Sequence, residues 1–349
     1  MQVDLLIVGQ GLCGSWLSYE AQRAGLSVCV LDTQRPNSPS RISAGIINPI
    51  TGRRQVEVWL SDELLAHAKS AYSSMSETLN RPLIRQTTLI DFFPSDQMCK
   101  SFQDRIAQNG KFVSLAQETQ ITMLPFDQPH GAGIINPVFL IDLPAFLEGN
   151  QKKLIDTGSL LEEQVEATQL RIEPDGVRYK DIRAERIVFC EGTAGLSAHF
   201  FPNLPFAPNK GEVLILDIPG LQRDHLYKHG LMLAPLSDGT WWAGSSYQWS
   251  FNHPHPTPAF REEMERTLKS WLTLPFQVID HRAGVRPATL ERRPFVGFHP
   301  QLPRIGILNG MGTKGCSLAP FFARELIRHW FLEEPIHPEA SIERFSIAR

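Results

Sequence analysis

Apolar residues along this chain keep two different rhythms, and the places where the rhythm changes mark the elements. The run Leu5-Leu6-Ile7-Val8 is continuous, as a strand buried on both faces should be, and it breaks at Gly9-Gln10-Gly11-Leu12-Cys13-Gly14. Beyond the break, Cys13, Leu17, Ala21 and Ala24 recur at spacings of 4, 4 and 3, which predicts one face of a helix that stops at Gly25. Val28-Cys29-Val30-Leu31 then predicts a second strand, ending at Asp32. Strand, glycine turn, helix and strand make a βαβ unit.

Further along, residues 61–75 predict a helix with Ser61 as its cap and Leu64, Leu65, Ala68 and Tyr72 as its apolar face. From 81 to 140 the character changes. Short β-like runs such as Thr88-Leu89-Ile90-Asp91-Phe92-Phe93 alternate with turns, and Val138-Phe139-Leu140-Ile141 leads into a helix capped by Asp142. Ile187-Val188-Phe189-Cys190, ending at Glu191-Gly192, is another continuous apolar strand. The runs Val213-Leu214-Ile215-Leu216, Leu231-Met232-Leu233-Ala234 and Trp241-Trp242-Ala243-Gly244 predict antiparallel strands of a separate sheet. On the last of these the two tryptophans alternate faces, one for the core and the other for a cavity. A helix follows, capped by Thr257, with Pro258 first and Phe260, Met264, Leu268 and Trp271 on one face. Ile305-Gly306-Ile307-Leu308 returns to strand, then glycine loop, then a helix packing Leu318, Phe322 and Leu326 inward. The fold class is therefore α/β. A Rossmann-type dinucleotide-binding domain in three pieces (1–80, 140–205 and 285–349) is interrupted by an antiparallel β-sheet substrate domain (81–139 and 206–284).

At 349 residues the chain exceeds what one hydrophobic core usually supports, which agrees with two domains. Its 34 basic and 37 acidic side chains leave a net charge of −3, which asks for neither nucleic acid nor an anionic membrane surface. No apolar run approaches a membrane span, and the opening residues lack the basic region of a signal peptide. The five cysteines, Cys13, Cys29, Cys99, Cys190 and Cys316, have no C-x-x-C spacing. Neither a disulfide framework nor a metal site is expected, and a reducing cytoplasm is. Cys13 and Cys190 fall on buried elements and read as inert core thiols. The pattern specifies no oligomeric state.

Chemistry enters with the glycine turn. In Gly9-x-Gly11-x-x-Gly14 the first glycine permits the tight turn, Gly11 lets a pyrophosphate approach the backbone, and Gly14 allows close helix packing. The helix N-terminus adds N–H donors and a positive dipole end at Leu12 and Cys13. Asp32 stands 18 residues after Gly14, where its carboxylate can accept from a ribose hydroxyl and would repel a 2′-phosphate. A second match, Gly310-Met311-Gly312-Thr313-Lys314-Gly315, cannot open another such half-domain, because only 34 residues follow Gly315. It reads instead as a helix N-terminus aimed at another part of the same nucleotide.

Together with Ser43-Ala44-Gly45, Cys190-Glu191-Gly192, Lys210-Gly211-Glu212 and Gly284-Val285-Arg286-Pro287, these motifs give the chain a resemblance to the D-amino-acid oxidase superfamily, which includes glycine and sarcosine oxidases. The resemblance covers nearly the whole length. It implies FAD as cofactor, a FAD domain assembled from separate pieces, and oxidation of a small amine by hydride transfer to flavin N5, with oxygen or another acceptor taking the electrons. It implies that Arg286 holds the substrate carboxylate, that Ser43, Ala44 and Gly45 approach the flavin, and that Val165 offers a backbone contact to adenine. Gly192 lies beside the nucleotide, and Gly312, Thr313, Lys314 and Gly315 meet the flavin's pyrimidine edge, where negative charge gathers on reduction. Asn48 and Tyr247 are further candidates for the reacting end, and His229 a weaker one; His281-Arg282 reads as a solvated loop. Cys316 lies away from the position of covalent flavin attachment in sarcosine oxidases, which implies non-covalent FAD.

Two alternatives stay open. Arg286 can be read as a structural arginine paired with a carboxylate. Residues 284–320 are also similar to the FAD-dependent half of the bifunctional enzyme that modifies tRNA wobble uridines. In that reading the chain is a flavoprotein of tRNA modification or of a larger anionic partner, met by Arg53, Arg54 and Lys314.

Overall fold

The computed structural model describes residues 1–52, 55–127 and 129–345. The chain divides into two compact units, one made of Met1–Arg41, Pro144–Asn209 and Val285–Arg349, the other of Ile42–Leu143 and Lys210–Gly284. Residues 42–80, which the pattern assigns to the nucleotide domain, therefore belong to the second unit. The cause is pairing: the short strand Ile46–Ile47 lies antiparallel to Phe139 and Leu140, and helix Ser61–Thr78 packs against strand Ile84–Phe92.

In the first unit the sheet has a parallel centre. Strands Leu160–Glu162, Val28–Asp32, Gln2–Val8, Ile182–Phe189 and Ile305–Asn309 lie side by side in that order. Leu5, Leu6 and Ile7 are fully buried, which is why their run is continuous rather than alternating. Antiparallel strands finish the sheet, Gly176–Tyr179 on the first half of Ile182–Phe189 and Phe295–Phe298 on Ile305–Asn309. Helix Leu12–Arg23 packs against helix Gly315–Leu332 and is buried along most of its circumference. That is more than the predicted single stripe: Cys13 is only half-buried, whereas Trp16 is fully buried and stacks on Phe146 at 5.1 Å.

The second unit carries a larger sheet in the order Gln277–Arg286, Asn209–Asp217, Trp241–Gly244, Leu231–Pro235, His225–His229, Ile84–Phe92, Ala132–Ile141, Ile46–Ile47. Its predicted strands pair antiparallel, but His225–His229 runs parallel to Ile84–Phe92, so the sheet is mixed rather than purely antiparallel. Helix Pro258–Lys269 buries Phe260, Met264 and Leu268 in the core that holds Phe126, Tyr227, Trp241 and Trp271. Phe126 and Trp271 stack at 4.4 Å there. Both tryptophans of the Trp241–Gly244 strand are buried.

Two predicted caps behave differently. Ser61 is the first helical residue, preceded by Leu60 in a left-handed conformation at φ 52°. Thr257 is the N-cap, yet its amide and hydroxyl donate to the fully buried Glu212 at 2.6 and 2.9 Å. Glu212 is also paired with the buried Lys210 at 3.0 Å and with His281 Nε2 at 3.0 Å, so His281 belongs to a buried ionic cluster and not to a solvated loop.

Candidate functional site

Because its central strands are parallel, the first unit presents all their carboxyl ends on one edge, where open α/β sheets bind ligands. The glycine turn stands at the centre of that edge. Gly9 N donates to Leu31 O at 2.8 Å and Cys190 N to Val8 O at 2.8 Å, which fixes the turn between its neighbouring strand ends. Gly14 sits so close beneath it that a Cβ there would lie 1.8 Å from Gly9 O. Gln10, nearly fully buried, ties the turn to helix Leu12–Arg23 by donating to Ser15 Oγ (3.0 Å) and to helix Leu143–Asp156 by donating to Leu147 O (3.1 Å).

Asp32 closes the neighbouring strand. One carboxylate oxygen accepts from Gln10 N at 2.7 Å and the other from Gln34 N at 2.5 Å. Each oxygen keeps acceptor capacity after one such bond, so the carboxylate is aimed by the backbone without being exhausted. Val165 follows strand Leu160–Glu162 and is half-buried against the core of this unit.

On the other side of the turn, Asn309 Nδ2 donates to Gly192 O at 2.9 Å and Asn309 Oδ1 accepts from Gly310 N at 2.8 Å. One side chain thereby holds the second glycine loop against the Cys190-Glu191-Gly192 strand end. Gly312 N donates to Pro287 O at 3.1 Å, which joins that loop to the segment following Arg286. Helix Gly315–Leu332 begins there with no side-chain cap at Lys314, and a Cβ on Gly315 would meet Leu12 at 3.0 Å. Two helix N-termini therefore converge on one edge. Burial lowers the Lys314 ammonium to about 8 and pushes the thiols of Cys13 and Cys316 up to about 12. Thr313 is exposed.

Arg286, partly buried at the end of strand Gln277–Arg286, donates from Nη1 to Asn209 Oδ1 at 2.7 Å. Asn209, like Ser40 and Asn309, is a residue the pattern does not single out. Ser40 Oγ accepts from Leu12 N at 3.1 Å and so caps the first helix from 28 residues away.

The second unit holds the remaining candidates. Gly45 has φ +78°, and a Cβ on it would lie 2.0 Å from Ile141 O, so only glycine fits. Its neighbour Ala44 is buried and Ser43 exposed. The segment is fastened by Ile141 N donating to Gly45 O at 2.8 Å and by Trp242 Nε1 donating to Ile42 O at 2.9 Å. Asn48 uses its side-chain oxygen in a local turn, accepting from Ile50 N at 2.9 Å. Tyr247 is 60% exposed, while His229 is half-buried and stacks on Trp271 at 5.3 Å. Arg53 and Arg54 lie outside the described residues. Among the described residues all five cysteines are free, no cluster of side chains could hold a metal ion, and no helix is long and apolar enough to cross a membrane.

Residues 4–329 match the family of FAD dependent oxidoreductases typified by D-amino-acid oxidase, and the chain belongs to that family. It is similar to the glycine oxidase of Bacillus licheniformis, 23% identical over 371 residues that cover 99% of this chain and 97% of the relative. Among solved structures it resembles iminodiacetate oxidase from Chelativorans sp. BNC1, with TM-score 0.77 and 20% identity over 97% of this chain and 99% of that one. Glycine oxidase from Geobacillus kaustophilus matches with TM-score 0.77 and 16% identity over 100% and 99% of the two chains.

The first unit fits the dinucleotide part of FAD on its own geometry. The turn that Gly14 packs beneath leaves a helix N-terminus facing the edge, and Asp32 stands beside it with acceptor capacity to spare.

Proposed function

We propose that the chain oxidises a small amine bearing a carboxylate, an amino acid or an N-substituted glycine, with non-covalently bound FAD. The observation that carries the substrate class is Arg286, whose guanidinium is oriented by the neutral oxygen of Asn209 at 2.7 Å. The guanidinium is always charged, and its planar fork grips a carboxylate with two parallel hydrogen bonds. Glycine and iminodiacetate, which the similar oxidases name, are both amines of this kind.

FAD, when bound, supplies the acceptor for the hydride lost from the carbon beside the amine nitrogen. The chain's own residues bind and orient. Gly9, Gly11, Leu12, Cys13 and Gly14 hold the pyrophosphate at the helix N-terminus, Asp32 the ribose, and Val165 and Gly192 flank the nucleotide. Gly312, Thr313, Lys314 and Gly315 set positive charge at the pyrimidine edge, while the resemblance assigns Ser43, Ala44 and Gly45 to the ring. Arg286 fixes the carboxylate, with Asn48 and Tyr247 as polar groups for the reacting end. No protein base is required, because the neutral amine is itself the reactive form. The Cys316 thiol, pushed up to about 12 by burial, is a poor nucleophile, which supports dissociable FAD.

The test is an anaerobic screen of amino acids and N-methyl amines against the purified holoprotein, following loss of flavin colour and its return in air. A carboxylate-bearing amine should bleach the wild type. Arg286→Lys should fold, stay yellow and react about 100-fold more slowly, the cost of misplacing a reacting bond by about 1 Å. Equal bleaching rates in wild type and Arg286→Ala would overturn the carboxylate assignment.

A further inference from the structure

We infer that the side chain of Gln10 locks the dinucleotide turn, fixing the backbone amide that aims Asp32, and so makes Gln10 a positioning residue for the adenosine end of FAD; this rests on the ribose role proposed for Asp32.

Gln10 lies between Gly9 and Gly11, so its side chain is the one able to hold the turn from within. That side chain is 3% exposed and bridges two helices. Its Nε2 donates to Ser15 Oγ at 3.0 Å, on helix Leu12–Arg23, and to Leu147 O at 3.1 Å, on helix Leu143–Asp156 and 137 residues away. A carbonyl oxygen has two lone pairs, so Leu147 O can serve its own helix and still accept from Gln10. Because that oxygen only accepts, the amide nitrogen must face it, and both amide hydrogens are then used. The other amide atom, Oε1, is left buried with no hydrogen-bond partner among the described residues. An apolar side chain of similar length would fill the space without stranding an acceptor, and such exchanges are often close to neutral in stability. What glutamine supplies and an apolar residue does not is a pair of N–H donors on one nitrogen, tying the turn to both helices at once.

The main chain of the same residue meets Asp32, with Gln10 N donating to Oδ2 at 2.7 Å. Gln34 N, the second donor to Asp32, lies only two residues along the chain and moves with that strand end. Gln10 N is different in kind. It refers the carboxylate to the glycine turn, and the side-chain lock keeps that peptide unit from rotating.

The experiment is a double-mutant cycle on the full-length holoprotein: wild type, Gln10→Met, Asp32→Asn and the two together. FAD affinity is read from the fluorescence of flavin released on dilution, and folding is checked by circular dichroism. Methionine matches glutamine in length and has no donor. Gln10→Met should lower FAD affinity about tenfold beside a wild-type Asp32 and by less than about twofold beside Asp32→Asn, because misaiming a carboxylate costs nothing once it is gone. Wild-type affinity in Gln10→Met, or a loss of the same size in both backgrounds, overturns the role of Gln10 and leaves that of Asp32 standing. Wild-type affinity in Asp32→Asn overturns the ribose reading itself. If Gln10→Met does not fold, Ser15→Ala, which removes only one of the two acceptors, takes its place in the cycle. Its loss of about threefold should likewise vanish beside Asp32→Asn. No loss, or a loss that persists there, overturns the lock.

Discussion

In the function proposed above, Asp32 and Lys314, single side chains on one sheet edge, divide the work of binding and tuning. Asp32 is aimed by two backbone amides, Gln10 N at 2.7 Å and Gln34 N at 2.5 Å, so its remaining acceptor sites point in a fixed direction. Asp32→Asn replaces an acceptor oxygen with a donor and removes the charge. It should weaken FAD binding to the apoprotein by about 1.5–3 kcal/mol, the usual worth of a charge-assisted hydrogen bond, read by fluorescence titration. An unchanged affinity would take Asp32 out of the site. In the proposed function Lys314 acts on electrons rather than affinity. Burial brings its ammonium down to about 8, so the charge is fully present below that pH and is lost as pH rises through it. A cation near the reduced flavin raises its midpoint potential. Wild type should therefore stand above Lys314→Met at pH well below 8, and the gap should close well above it. A gap of the same size on both sides of pH 8 would show that Lys314 does not act through its charge.

At the scale of elements, the glycine turn and the first helix form one mechanical piece. Gly14→Ala would force a methyl group to within 1.8 Å of the Gly9 carbonyl oxygen, a backbone atom that cannot swing aside. The turn must open, at a cost of about 1–3 kcal/mol for overpacking, and FAD binding should be lost with it. Thermal unfolding and FAD titration of the variant together check this, and a normal midpoint with normal affinity would contradict the packing. The turn was legible in the sequence because everything that defines it is local: an apolar run, three glycines and an acid within residues 5–32. What fastens it was not. Ser40 reaches Leu12 from 28 residues away; in the same way Asn309 ties the second glycine loop to Gly192 from 117, and Trp242 holds the Gly45 segment through Ile42 from 200. Each partnership depends on which strand ends come together, and no spacing in one segment encodes that. The place of residues 42–80 was hidden for the same reason, since it hangs on the pairing of the two-residue strand Ile46–Ile47 with a strand some 90 residues on. The parallel pairing of His225–His229 with Ile84–Phe92 leaves no local trace either, because a buried strand reads alike in both directions.

Over the whole molecule, the manner in which FAD is held follows from where its nucleophiles lie. Covalent attachment needs an accessible thiolate or an equivalent group close to the flavin. The five cysteines are all free among the described residues, so each is chemically present, but the thiols near the nucleotide edge are suppressed. Burial raises Cys13 and Cys316 to about 12 and holds Cys190 well above the ordinary thiol value. At neutral pH almost none of any of these is thiolate. In the proposed function what holds the cofactor is the folded arrangement itself: turn, helix N-termini, Asp32 and the second glycine loop, drawn from residues 9–32, 190–192 and 310–315 and brought together by the sheet. Unfolding should release it completely. Holoprotein precipitated with acid should leave a white pellet and a yellow supernatant whose flavin chromatographs as FAD, in about one equivalent per chain, as one dinucleotide fingerprint implies. A yellow pellet would mean that a covalent bond had formed despite the suppressed thiols. A protein that is colourless and takes up no added FAD would mean that the edge, for all its glycines, is too tightly closed to admit the nucleotide.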